Sequence, residues 1–440
     1  MKAPAPLGWL GIVRLGMVQT ALGAIVVLTT STLNRVMVVE IALPAAVPGM
    51  LIALHYCMQI FRPRLGFGSD VGGRRTPFIV GGMAILAAGG IFAAISTALM
   101  MQSVFLGIAL AIVAFLMIGL GVGAAGTTLL VLLAQRTDER RRAAAATVVW
   151  VMMIAGFIVT SALAGHLLDP FSPTRLVVVA SAVSAIAFGV SLVAVWNVEG
   201  HPASRPSIEK PEQSSFRGAF NDVWREPQSR RFAIFIFVSM IAYSAQDLIL
   251  EPFAGIVFGY TPGETTKLSS VQNGGVLVGM VLVALAGSGL RGKSLGSLKA
   301  WTVAGCGASA LALAGIAMAG LIGPAWPLRA SVFALGVTNG AYAVAAIGSM
   351  MALVSDGARS REGVRMGLWG AAQALAFGAG GLIGTLASDL ARMLIGNPSL
   401  AYASVFFAEA LLFVVSASLA WRLQSPHSGA HAYAPQTGRV

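Results

Sequence analysis

Residues 103–134 read SVFLGIALAIVAFLMIGLGVGAAGTTLLVLLA, without one charged side chain. A helix needs about 20 apolar residues to cross the bilayer hydrocarbon, where its backbone polar groups can be satisfied only internally. This run is longer, which predicts tilt or extension beyond the membrane. Working outward, comparable runs recur at 9–33, 41–61, 77–98, 143–166, 173–197, 232–258, 268–290, 298–322, 326–354, 364–387 and 398–422. The expectation is an all-α integral membrane protein of twelve transmembrane helices. The first pair is the hardest to delimit, because Asn34, Arg35 and Glu40 interrupt its apolar run.

Composition agrees. Of 440 residues, 57% are hydrophobic and 10% charged, against roughly 25% charged in soluble domains. So few charges cannot cover a globule of this size, and lipid must solvate much of the surface. The 52 glycines suit close helix packing, since contact rather than burial drives association in lipid. A net charge of +12 would suggest a nucleic-acid partner in a soluble chain; here it sits in short loops, and no nucleic acid is expected. Cys57 and Cys306 lie inside apolar runs without metal-ligand spacing. No cleavage signal follows the first apolar run, so the first helix is expected to stay.

Basic residues set the orientation. Of 29 lysines and arginines, Arg35, Arg175, Lys267, Arg329 and Arg392 fall on one side of a twelve-span arrangement, and all others on the side of both termini. The positive-inside rule makes that richer side cytoplasmic. The segment 198–231 divides the spans six and six. The domains expected are therefore an N-terminal bundle over 1–197, a cytoplasmic linker over 198–231, a C-terminal bundle over 232–423 and a disordered tail over 424–440. Phe216, Phe220, Val223 and Trp224, with Arg217, Arg225, Arg230 and Arg231 nearby, predict a short amphipathic helix on the anionic membrane surface, or else a docking segment. The halves also match at an offset of 219: Gly68-Ser69 with Gly287-Ser288, Gly73-Arg74 with Gly292-Lys293, Arg140 and Arg142 with Arg359 and Arg361, Trp150 with Trp369. Parallel repeats of this kind build transporter halves.

Between spans two and three lies Gly66-Phe67-Gly68-Ser69-Asp70-Val71-Gly72-Gly73-Arg74-Arg75. This loop resembles the signature of the major facilitator superfamily. The resemblance implies two six-helix pseudo-repeats and a conformational latch of Gly66, Asp70, Gly73, Arg74 and Arg75. Its glycines permit a tight turn, and Asp70 can sit at a helix N-terminus and pair with an arginine. An ordinary basic turn that anchors topology is the plainer alternative. The second copy, Gly287 to Lys293, has no acidic residue, so any latch is asymmetric.

Polar groups in spans are costly and hence functional candidates. Arg35 and Glu40 lie on span one or its exit, and His55 and Gln59 share a face of span two. Gln246, Asp247 and Glu251 sit close to Pro252 on span seven. Arg35 can pair with Glu40 or with the span-seven acids. Neutral imidazole can ligate a metal, although an interhelical hydrogen bond is the commoner fate of such a histidine. Glu409, halfway along span twelve, is a candidate partner contact, or a protonated or snorkelling carboxylate. No phosphate-cradling loop, zinc-type His-Glu-x-x-His or nucleophile elbow occurs. Neither enzyme activity, a catalytic cofactor nor a metal centre is expected.

Two further stretches narrow the family. Leu33-Asn34-Arg35-Val36-Met37-Val38-Val39-Glu40 with Ile-Ala-Leu-Pro, and Gln246-Asp247-Leu248-Ile249-Leu250-Glu251-Pro252-Phe253-Ala254-Gly255 continuing to Thr261-Pro262-Gly263-Glu264, resemble the PucC/LhaA-like bacteriochlorophyll-delivery family, as does Leu54-His55-Tyr56 through Arg62-Pro63-Arg64. The similarity runs from about residue 9 to 422. It implies a light-harvesting complex assembly factor of the bacterial photosynthetic inner membrane. Implied partners are lipid, bacteriochlorophyll as cargo, and antenna apoproteins or pigment-synthesis enzymes. Candidate pigment- or substrate-binding residues are His55, Gln59, Arg35, Glu40, Gln246, Asp247 and Glu251. A proton-coupled secondary transporter of a small solute is the alternative, and a motionless scaffold holding antenna peptides a third.

Overall fold

Helix starts are written locally. Ser172, Ser297 and Asn397 each accept a hydrogen bond from the backbone N–H three residues on, which satisfies a donor the first helical turn leaves unpaired. Proline follows at Pro173 and Pro398, where its missing N–H costs nothing. Thr261 and Glu264 cap each other reciprocally, with Thr261 N–H donating to Glu264 Oε2 at 3.0 Å and Glu264 N–H to Thr261 Oγ1 at 3.2 Å. The computed structural model describes residues 7–61, 74–137, 142–199, 224–287, 296–355 and 362–423.

These residues form twelve main helices: α1 (Trp9–Glu40), α2 (Ala46–Met58, extended by a 3-10 turn Gln59–Phe61), α3 (Thr76–Met100), α4 (Val104–Arg136), α5 (Arg142–Leu167), α6 (Pro173–Val195), α7 (Pro227–Phe258), α8 (Pro262–Gly287), α9 (Leu298–Ile322), α10 (Leu328–Ser355), α11 (Glu362–Ile395) and α12 (Pro398–Trp421). Eleven are long and apolar enough to cross a membrane, and α2 is the shorter one. No strand occurs among the described residues. Side chains from α1 to α6 build one hydrophobic core and those from α7 to α12 another, with Leu248 of α7 reaching into the first. Exposed apolar side chains such as Phe105, Leu163, Leu311 and Phe407 cover the outside, the surface lipid must solvate.

Several boundaries differ from expectation. Helix α1 continues past residue 33 through two wide π turns, Leu28–Thr32 and Val36–Glu40, because Asn34 and Arg35 turn into protein rather than lipid and find partners there. Helix α2 starts at Ala46 rather than 41. The chain reverses at Ala42 with φ 57, and Asp389 on α11 caps the new helix through the Ala45 and Ala46 N–H groups at 2.9 and 2.8 Å. Helix α11 runs on to Ile395, and α7 begins at Pro227, inside the stretch read as linker. Of the amphipathic segment, Phe216, Arg217, Phe220 and Val223 lie outside the described residues, as does the 424–440 tail; Trp224 and Arg225 are exposed, and Arg230 and Arg231 are exposed on the first turns of α7.

The loops after odd-numbered helices, 41–45, 101–103, 168–172, 259–261, 323–327 and 396–397, share one end of the bundle; Leu7, Glu199, Trp224 and Leu423, which bound described stretches, share the other. The halves meet where α1 packs on α7, α2 on α11 and α5 on α8.

Candidate functional site

Between the halves lies a cavity of about 490 Å³, within the size range of small-molecule sites. Its wall is mainly apolar and aromatic. His55 touches Tyr56 edge-on at 4.9 Å; Tyr56 meets Phe377 at 5.9 Å, and Phe377 meets Tyr243 at 5.8 Å. This aromatic chain crosses from α2 through α11 to α7. Trp150 and Phe157 of α5 line the facing wall.

Polar groups interrupt this apolar wall. His55 Nε2 and Gln59 Nε2 lie 3.2 Å apart on successive turns of α2, so one partner of the imidazole comes from its own helix. Gln272 of α8 donates to Asp247 Oδ1 at 3.3 Å, and Gln19, Asn273, Gln373 and the hydroxyls of Thr30, Ser31, Thr127, Ser244 and Ser269 complete the polar lining. Of the residues singled out from sequence, His55, Gln59 and Asp247 line the cavity.

Glu251 lies one helical turn beyond Asp247, toward the odd-loop end. Ser31 Oγ and Ser269 Oγ both donate to its Oε1, and the two hydroxyls lie 2.9 Å apart. One carboxylate thus ties α1, α7 and α8 together under the cavity floor. Arg35 pairs with Glu40, and among the described residues none of its hydrogen bonds goes to Asp247 or Glu251, although its charge lies within electrostatic reach of Glu251. Its other hydrogen bond crosses the halves, Nη2 donating to the Tyr260 carbonyl at 2.7 Å. Gly255 makes room for it, since a Cβ there would stand 3.1 Å from Arg35 Nη2. Pro252 explains a further contact. A proline inside a helix leaves the carbonyl four residues back without its donor, and that carbonyl, Leu248 O, accepts from Asn34 Nδ2 at 2.7 Å. Asp169 accepts from Thr261 Oγ1 at 2.8 Å and lies 3.3 Å from Lys267 Nζ. The odd-loop end is therefore laced shut by polar contacts between α1 or α5 on one side and α7 or α8 on the other.

Two candidates fall elsewhere. Gln246 is fully buried and absent from the cavity wall. Glu409 is only 4% exposed, so the partner contact expected of it is corrected: its side chain points into the C-terminal half. Tyr402 and Phe406, seven and three residues before it, and Phe413, four after, are all buried and mark this as the inward face of α12.

Gly66, Asp70 and Gly73 of the signature loop lie outside the described residues. Arg74 is exposed and Arg75 buried. The loop's exit is anchored by Glu199, which sequence reading missed. Its carboxylate accepts from the Arg75 N–H, from the Thr76 N–H at 2.8 Å and from Thr76 Oγ1 at 2.7 Å. An anion there complements the positive end of the α3 dipole.

Two six-helix halves meeting through α1–α7, α2–α11 and α5–α8 around a central cavity define the major facilitator superfamily fold. The D-xylose–proton symporter superposes with a TM-score of 0.75 over 94% of this chain and 97% of its own at 12% identity. A bacterial homolog of the human lysosomal transporter Spinster, inward-facing and unoccupied, gives 0.65 over 93% and 95% at 16% identity. Within that fold the chain belongs to the PucC family, whose model, described as PUCC protein, matches residues 32–427. It is 52% identical over 414 residues to the bacteriochlorophyll synthase 44.5 kDa chain of Rhodobacter capsulatus, covering 94% of this chain and 95% of that one. Protein PucC of Cereibacter sphaeroides is 31% identical over 421 residues, covering 91% and 88%.

Proposed function

We propose that this protein is a non-enzymatic assembly factor for light-harvesting complexes that receives bacteriochlorophyll in the cavity between its halves. The supporting observation is the cavity wall: a continuous aromatic chain from His55 to Tyr243 within a mainly apolar lining that also offers hydroxyl, amide and imidazole groups, which suits a flat, apolar macrocycle carrying a few carbonyls and a metal. Kinship with a relative named for bacteriochlorophyll supports the same cargo. In this reading His55 offers its imidazole to the pigment magnesium when Gln59 swings aside, and Gln272 and Asn273 offer donors to ring carbonyls. The basic-residue count makes the odd-loop end the outer face. The cavity therefore loads from the cytoplasmic side or laterally from lipid, and apoproteins or pigment-synthesis enzymes are the partners. Deleting the gene in its phototrophic host tests this: antenna absorbance bands in the near infrared fall while pigment synthesis continues. Unchanged antenna bands would reject the reading.

A second reading has its own observation. Asp247 lines the cavity with Glu251 one turn below it, an arrangement suited to a proton-coupled solute transporter. Solute uptake into proteoliposomes driven by a pH gradient would favour it. That relative's name also allows an enzyme-subunit reading. Pigment synthesis that stops in the deletion strain would favour that one.

A further inference from the structure

Helix α9 packs on α10 and α12, and α7 packs on α12 and touches α10, away from the central cavity. Counted from their odd-loop ends at 1.5 Å per residue, Gln246, Ser309, Asn339 and Glu409 all lie about 16–20 Å deep, near mid-membrane. Ser239, Gln246 and Phe253 recur every seven residues and share one face of α7. On one side of this level Phe253 meets Phe406 at 5.1 Å. On the other, Tyr342 meets Phe413 at 6.0 Å while its hydroxyl donates to Ser239 Oγ. Gln246 and Glu409 are thus bracketed between two aromatic floors, and all four residues are buried, at 0 to 4% exposure.

Their polar atoms are under-satisfied. Ser309 Oγ donates to Asn339 Oδ1 at 2.8 Å. Asn339 Nδ2, both amide atoms of Gln246 and both carboxyl oxygens of Glu409 have no protein partner. None of the four lines the central cavity, whereas Asp247, the next residue on α7, does. No lysine or arginine occurs in 232–258, 300–322, 330–349 or 398–421, so these helix interiors offer Glu409 no positive partner. Burying an unpaired charge is far costlier than burying a neutral, hydrogen-bonded group.

We propose that these four residues form a second, closed polar site in which Glu409 carries a proton and internal water bridges it to Gln246 and Asn339. The inventory closes in this form. A protonated carboxyl supplies one donor and an acceptor, Gln246 supplies both kinds, and a water with two to four polar neighbours joins them to Asn339 Nδ2. A metal ion fits worse, because it needs a cage of oxygens. Asn339 Oδ1 is already engaged, and the carbonyl freed by Pro252 is taken by Asn34.

Infrared difference spectroscopy of the purified protein in H2O and D2O tests the proposal, and it is independent of pigment binding. Glu409→Gln is expected to remove one protonated-carboxyl carbonyl band that survives in Asp247→Asn and Glu251→Gln, and Gln246→Leu is expected to shift that band. Should Glu409→Gln fail to fold, Glu409→Asp serves instead, and the band moves. A carboxyl spectrum identical in wild type and the Glu409 variants would overturn the proposal. So would a sodium-dependent rise in melting temperature that Glu409→Gln abolishes.

Discussion

Replacing Arg35 with methionine isolates the latch at the odd-loop end. Arg35 makes two kinds of contact. Its pair with Glu40 lies within α1 and persists whether the halves are apposed or apart. Its hydrogen bond to the Tyr260 carbonyl crosses the halves and exists only when this end is shut. A hydrogen bond from a charged donor is worth about 1.5–3 kcal/mol, so its loss shifts the shut–open equilibrium by about 10- to 150-fold toward open. Methionine keeps the apolar stem, which limits packing loss, and Glu40, about one-third exposed, can be hydrated. Spin labels at Met101 and Ile395, both exposed at this end, on a background lacking Cys57 and Cys306, report the separation by double electron–electron resonance. The variant should gain a longer-distance population that wild type lacks, while Arg35→Lys gains a smaller one. Identical distance distributions in wild type and Arg35→Met would refute the assignment of this contact as a latch.

Other perturbations follow from packing and capping. Gly279→Val should abolish folded expression, since even a Cβ there stands 2.8 Å from the Ala341 amide nitrogen and overpacking costs about 1–3 kcal/mol or more; size-exclusion profiles of the solubilised protein check it. Asp389→Ala removes the acceptor of both Ala45 and Ala46 N–H groups; a loss of about 1–3 kcal/mol should appear as a lower melting temperature, with Asp389→Asn in between. Phe377→Ala breaks the ring chain between Tyr56 and Tyr243 and should weaken pigment binding far more than it lowers the melting temperature, read by absorbance titration and thermal melt together.

The twelve helices were legible because lipid leaves no other solution for long uncharged runs, and cap residues mark four of their starts, at Ser172, Thr261, Ser297 and Asn397. Boundaries failed where charge was read as loop. Asn34 and Arg35 continue α1, and Asp389 and Arg392 continue α11, because each side chain turns toward protein or toward a helix end. The true start of α8 was written in the Thr261–Glu264 capping box, a spacing that sequence reading could have used. Asp247, His55 and Gln59 were found by the rarity of polar groups in apolar spans. Ser31, Ser269, Gln272 and the aromatic chain were not, since small hydroxyls and aromatics are common in membrane helices and only the fold brings them together. Glu409 stayed open between a partner contact and a protonated carboxylate because a lone carboxylate does not declare its face; the buried aromatics at 402, 406 and 413 carried that signal.

The central claim is that the cavity between the halves holds pigment. Its most direct measurement is the near-infrared absorbance of protein purified from a phototrophic membrane, compared with Ala374→Trp, which fills the cavity from its α11 wall. The account predicts bacteriochlorophyll bound to wild type and lost from a folded variant with an unchanged elution profile. Equal pigment on both, or none on either after reconstitution with bacteriochlorophyll, would contradict it.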